Sequence, residues 1–177
     1  MFLRIAMNRP HSLLIATLFA LLQGCAILHG GTITPGETEA QVIGKLGQPT
    51  NRYRDEKGNL LEYARGPWGQ QTYMARVGPD GRVTSFEQVL TLQKFATITP
   101  GQANKKDVLH TIGAPSDTSY LSFSDLEVWS YPYKESDVWN SLMHVHFDRN
   151  GVVQKMMNGP DPRFDPDMRF PFGLSRR

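Results

Sequence analysis

Residues 33–50 read ITPGETEAQVIGKLGQPT, and residues 98–116 read ITPGQANKKDVLHTIGAPS. The two stretches repeat one another, and each carries the start and stop signals of a short helix. Thr38 and Asn104 are N-cap residues whose side-chain oxygens take an orphan amide of the first turn. Gln41, three residues after Thr38, completes a capping-box pattern. Val42, Ile43 and Leu46 then coincide with Val108, Leu109 and Ile112, an apolar spacing that lies on one helical face. Gly47 and Gly113 stand where a helix end wants a left-handed residue, and Pro49 and Pro115 forbid continuation. The offset between copies is 65 at the ITPG segments and 66 in the helices, so copy two carries one extra residue between Gly101 and Asn104.

The resemblance extends downstream. LLEYAR (60–65) and QTYMARV (71–77) match LEVWSY (126–131) and LMHVHF (142–147). Alternation marks these as half-buried strands, with Tyr73, Ala75 and Val77 on one face and Met143, Val145 and Phe147 on its counterpart. PDG (79–81) and RNG (149–151) are hairpin turns, each leading into a third strand near 82–91 and 152–157. The sequence therefore predicts an α+β fold of two tandem repeats, 33–91 and 92–157. Each is a short helical segment followed by a three-stranded antiparallel meander, with the helices packed on the sheet. A lone 60-residue unit buries about 60% of its unfolded surface and is marginal, so two units gain by sharing a core or a sheet. The connection 91–98 is apolar and poor in turn formers, which predicts a tightly coupled pair.

The N-terminus has three parts. Arg4 and Arg9 precede the apolar run LLIATLFALL (13–22), and Gln23-Gly24-Cys25 follows. Ten apolar residues are too few to span a bilayer, and the pattern is that of an export signal over 1–25, with Met7 an alternative start. Cys25 is the sole cysteine, so no internal disulfide forms. Leu22 and Gly24 precede it as in a bacterial lipoprotein signal, although Gln23 stands where a small residue is usual. This predicts lipidation at Cys25 and a short tether over 26–32. The alternatives are an ordinary signal with a chance cysteine, or an uncleaved anchor. Ala26, in place of Asp, favours the outer membrane. Without Arg4 and Arg9 the 19 basic residues fall to 17, matching the 17 acidic ones. A neutral chain without a basic stripe excludes nucleic acid as the expected partner.

No hydrolase, zincin or paired-cysteine motif occurs, and the reading is of a non-enzyme with no catalytic residue, cofactor or metal site. His144 and His146 alternate on one strand with Asp148 beyond them. They form either a metal-ligating face or, in the simpler reading, a solvated strand face. His110 is expected to be exposed. Trp68, in RGPWGQQ (65–71), and Trp139, in KESDVWNS (134–141), lie at equivalent places between strands. They are candidate protein-binding residues; the alternative is that each ring caps its own sheet edge. Residues 158–177 break all periodicity with four prolines. They form either a disordered end or an extended peptide that docks on a partner or on the chain's own surface.

The pattern G-x-T-x-x-Q-V-x-x-x-L-G-x-P over 36–49 resembles the start of the SmpA/OmlA (BamE-like) lipoprotein domain. That resemblance, extending over 33–157, implies a helix-on-three-strand fold and a role beside the outer-membrane β-barrel assembly machine. The family has one copy where this chain has two. The tandem is similar to the β-lactamase inhibitor protein-like fold, in which two sheets join into a concave surface. The resemblance implies a non-enzymatic outer-membrane lipoprotein facing the periplasm. It would bind an envelope protein and serve outer-membrane protein assembly or envelope integrity. The alternative is a periplasmic inhibitor or sensor that binds an envelope enzyme.

Overall fold

A computed structural model describes residues 32–66 and 68–164 of the chain. The expected signal segment with Cys25, and the tail beyond Phe164, lie outside the described residues. The fold is α+β. Helix α1 (Glu39–Leu46) leads into β1 (Asn51–Asp55), β2 (Gly58–Arg65), β3 (Gln71–Val77) and β4 (Val83–Gln88). A short helix α2 (Leu92–Phe95) connects to α3 (Lys105–Ile112), which leads into β5 (Asp117–Leu121), β6 (Leu126–Glu135), β7 (Trp139–Phe147) and β8 (Val153–Pro160). The two sheets are separate antiparallel meanders of four strands, ordered β1-β2-β3-β4 and β5-β6-β7-β8.

The doubled helix signals form as their chemistry requires. Thr38 and Gln41 complete a capping box on α1, and Asn104 and Asp107 complete one on α3. Gly47 and Gly113 both have positive φ, at 81° and 85°, but with extended ψ rather than the left-handed helical value. The caps also tie each helix to its sheet through equivalent bridges, Thr38 to Arg82 and Asn104 to Val152.

Each expected three-strand meander has a fourth strand in front. β1 and β5 were not foreseen because both are polar edge strands. β5 is exposed at every residue, so no apolar alternation announces it. Backbone pairing alone puts it in the sheet, with Ser119 opposite Val128 and Asp117 opposite Ser130. β6 also runs past Tyr131 through Pro132. β5 begins opposite Ser130, so no ladder bond is required of Pro132 on that side. β8 continues through Pro160, where an edge strand tolerates the missing N–H.

The sheets do not join into one concave surface. The inner face of the first sheet, with Leu61, Tyr63, Ala75 and Val77, packs on Val42 of α1. The inner face of the second, with Trp129, Tyr131, Met143, Val145 and Phe147, packs on Val108 and Ile112 of α3. The connection contributes Leu90, Phe95 and Ile98 to that second core, while Val89 packs with Leu60 and Met74 on the outer face of the first sheet. The back of α3 meets that same outer face, so α3 lies between the sheets. His110 is half-covered there, its ring 5.5 Å from Tyr53 and its Nδ1 3.7 Å from Asp55, and is not the exposed residue the sequence suggested.

The deepest point of this junction is Glu62, buried on β2. Its Oε2 accepts from Tyr53 OH at 2.6 Å, from Asn51 Nδ2 at 3.2 Å and from the Ala114 backbone N–H at 3.2 Å. A carboxylate so enclosed is tolerable only with such partners. Nearby, Arg76 donates to both oxygens of Asp55 at 3.0 Å.

Candidate functional site: the outer face of the second sheet

Strand register shows which residues of the two units stand in equivalent places. On the first sheet one outer-face row runs Asn51, Glu62, Met74, Glu87, and the next Tyr53, Leu60, Arg76, Ser85. On the second sheet the corresponding rows run Asp117, Ser130, His144, Met157, and Ser119, Val128, His146, Lys155. The first face is covered by α3 of the following unit. No following unit covers the second among the described residues.

That second face is a groove of about 620 Å³. Its floor is largely apolar, built by Leu121, Val128, Pro132, Leu142 and Met157, with Asp161, Pro162 and Arg163 along one rim. The alternation of β6 explains the floor. Trp129, Tyr131 and Tyr133 point into the core, so Val128, Ser130 and Pro132 must point out. Tyr120, Leu121 and Phe123 at one end of this sheet, and Val138 and Trp139 at the other, are large apolar side chains left exposed. Of these, only Leu121 lines the groove.

The His144/His146 face is thus more than a solvated strand face, and Asp148 does not join its two imidazoles. Ser130 Oγ lies 2.9 Å from His144 Nδ1. Asp148, the third member of the expected set, accepts from the backbone of Asn150 and Val152 and from Gln154 in the β7–β8 turn. No group of three His, Cys, Asp or Glu side chains converges on one point among the described residues. His146 is buried, and its Nδ1 has no hydrogen-bond partner among the described residues. Burial lowers the pKa of its ring, and nearby Lys155 and His144 lower it further.

A serine beside a histidine invites a nucleophilic reading. The geometry gives it little support. Ser130 sits mid-strand, paired to Asp117 on one side and His144 on the other. Acyl transfer needs free amides aimed at a developing oxyanion, and ladder bonds occupy such groups here. The buried carboxylate of the rim, Asp161, is held by Arg163, whose Nη2 donates at 2.6 Å and Nε at 3.0 Å. It therefore does not orient His144.

The two tryptophans have different surroundings. Trp68 lies in the β2–β3 loop with its ring edge-on to Phe164, centroids 5.9 Å apart, and the Arg163 guanidinium 5.7 Å above it. Gln70 beside it donates to Asn140 of the other unit at 2.9 Å, and Asn140 accepts the Asp161 N–H. Trp68 therefore helps fasten the start of the tail. Trp139 opens β7 opposite Glu135 and is 70% exposed. The β6–β7 hairpin is longer than its counterpart, which places Trp139 on a strand rather than in a loop.

The groove residues Ser130, Leu142, Met157 and Asp161 were not singled out from the sequence. The period-two pattern of 126–133 contained the signal for the floor. No local pattern announces that the face would be left open.

No described helix is long and apolar enough to cross a membrane. No family model matches the chain. No curated protein matches it. Among solved structures, the chain is similar to a DUF4309 family protein (YjgB) from Bacillus subtilis, at 13% identity over 78% of this chain and 84% of that one, with a TM-score of 0.31. A likeness at that level carries no argument about fold or function.

Proposed function

We propose that the chain is a non-enzymatic envelope lipoprotein, held by lipid on Cys25 at the periplasmic face of the outer membrane. It binds an apolar segment of a protein partner in the groove of the second sheet. The observation that carries this reading is the contrast between two equivalent faces: α3 covers the first, and no described residue covers the apolar groove of the second. Resemblance to the SmpA/OmlA domain favours a partner engaged in outer-membrane protein assembly or envelope integrity. A second reading, an inhibitor or sensor of an envelope enzyme, draws on the tandem arrangement; it is weakened by the separation of the two sheets.

Purification of the full chain from its native membrane fraction tests the reading. Barrel-assembly components in stoichiometric amount support the first version, and a single hydrolase supports the second. Recovery of the chain from the soluble fraction, with Cys25 unmodified by mass spectrometry, rules out the lipid anchor.

A further inference from the structure

The described chain ends at the groove it leaves open. Asp161, Pro162 and Arg163 form the rim, and Phe164 is fastened beside Trp68. The sequence then continues DPDMRFPFGLSRR; the prolines break any pattern over 158–177 as a whole, but within it Met168, Phe170, Phe172 and Leu174 fall at every second position. That period puts all four on one side of an extended chain. Pro171 has no N–H to give to a ladder, which suits a segment that lies across a sheet face through its side chains rather than joining an edge.

We propose that residues 168–174 occupy the groove of the second sheet, covering it as α3 covers the first. The reach is sufficient. From Phe164 to Leu174 an extended chain spans about 33 Å, whereas four strands spaced about 4.8 Å apart are about 15 Å across. The chemistry is complementary: four apolar side chains meet the floor of Leu121, Val128, Pro132, Leu142 and Met157. Tethering favours the segment further, because a short link gives it a millimolar effective concentration at the groove. An envelope partner would then bind by displacing this segment. The inference shares the groove with the reading above and stands whether or not a partner exists.

The test uses the purified full chain with a benzoylphenylalanine photo-crosslinker at Leu142, and a control with the crosslinker at the exposed Ala40 of α1. After irradiation, the expected result is an adduct within one chain between position 142 and the peptide containing residues 168–174, absent from the control. The double variant Phe170→Ser/Phe172→Ser should lower its yield at least fivefold. Both substitutions lie outside the described fold, so the groove itself is unaltered. Adducts from position 142 only to other residues of the same chain or to a second copy, or an equal yield in the double variant, would overturn the proposal. The partner reading has its own readout in the membrane purification and can fail or survive separately.

Discussion

The side-chain carboxylate of Glu62 on β2 accepts the backbone N–H of Ala114, 52 residues further on, at the end of α3. This bond fastens the second unit to the outer face of the first. Glu62→Ala would leave the Tyr53 hydroxyl, the Asn51 amide and the Ala114 N–H without their acceptor. We expect a loss of about 2–4 kcal/mol, seen as a lower midpoint in chemical denaturation. Glu62→Gln should cost less, because its carbonyl still accepts.

Gly113 and Gly47 hold equivalent backbone conformations in different surroundings. A Cβ at Gly113 would lie 2.9 Å from Cδ of Glu62, whereas one at Gly47 meets nothing within 4 Å. Both alanine variants incur the cost of positive φ, about 1 kcal/mol or more. Gly113→Ala should lower the melting temperature further than Gly47→Ala, and equal shifts would show that the junction yields freely. Because α3 serves both faces, calorimetry should give one transition in either variant.

His146 gives a pH dependence of definite sign. Burial holds its folded-state pKa below the unfolded value of about 6.5. Between those two values the unfolded chain binds a proton that the folded chain refuses. The associated stability is complete above the unfolded pKa and is lost as pH falls from there toward the folded one. Wild type should therefore lose stability as pH falls below about 6.5, and His146→Gln should flatten that part of the profile.

Much of this fold is legible in the sequence, for physical reasons. Thr38, Asn104, Gly47 and Gly113 are local signals, and local signals survive folding. So does the alternation that puts Ala75, Val77, Val145 and Phe147 inward. β1 and β5 were missed because edge strands held by backbone pairing need no apolar pattern. The groove was missed for another reason: whether the face carrying His144 and His146 is solvated, covered or open depends on what α3 covers. That is a relation between units, and no window of the sequence contains it. Likewise His110 looks like a surface residue until Tyr53 and Asp55 are brought against it.

Trp68 and Trp139 should part company on mutation. Trp68→Ala removes the contacts with Phe164 and Arg163 and should lower stability by about 1 kcal/mol. Trp139→Ala should change stability by less than about 0.5 kcal/mol. A thermal shift assay on the two variants separates them.

The claim that the open face of the second sheet is the working surface stands or falls on Leu142. It lies on the groove floor, half-buried and outside both cores. Leu142→Arg should keep a cooperative melting transition within a few degrees of wild type, because the guanidinium can reach water from the face. Recovery of the partner from native membranes, measured at matched amounts of folded protein, should fall at least about tenfold, the loss expected when one apolar anchor is replaced. A stably folded Leu142→Arg chain that recovers its partner at wild-type strength would contradict the account.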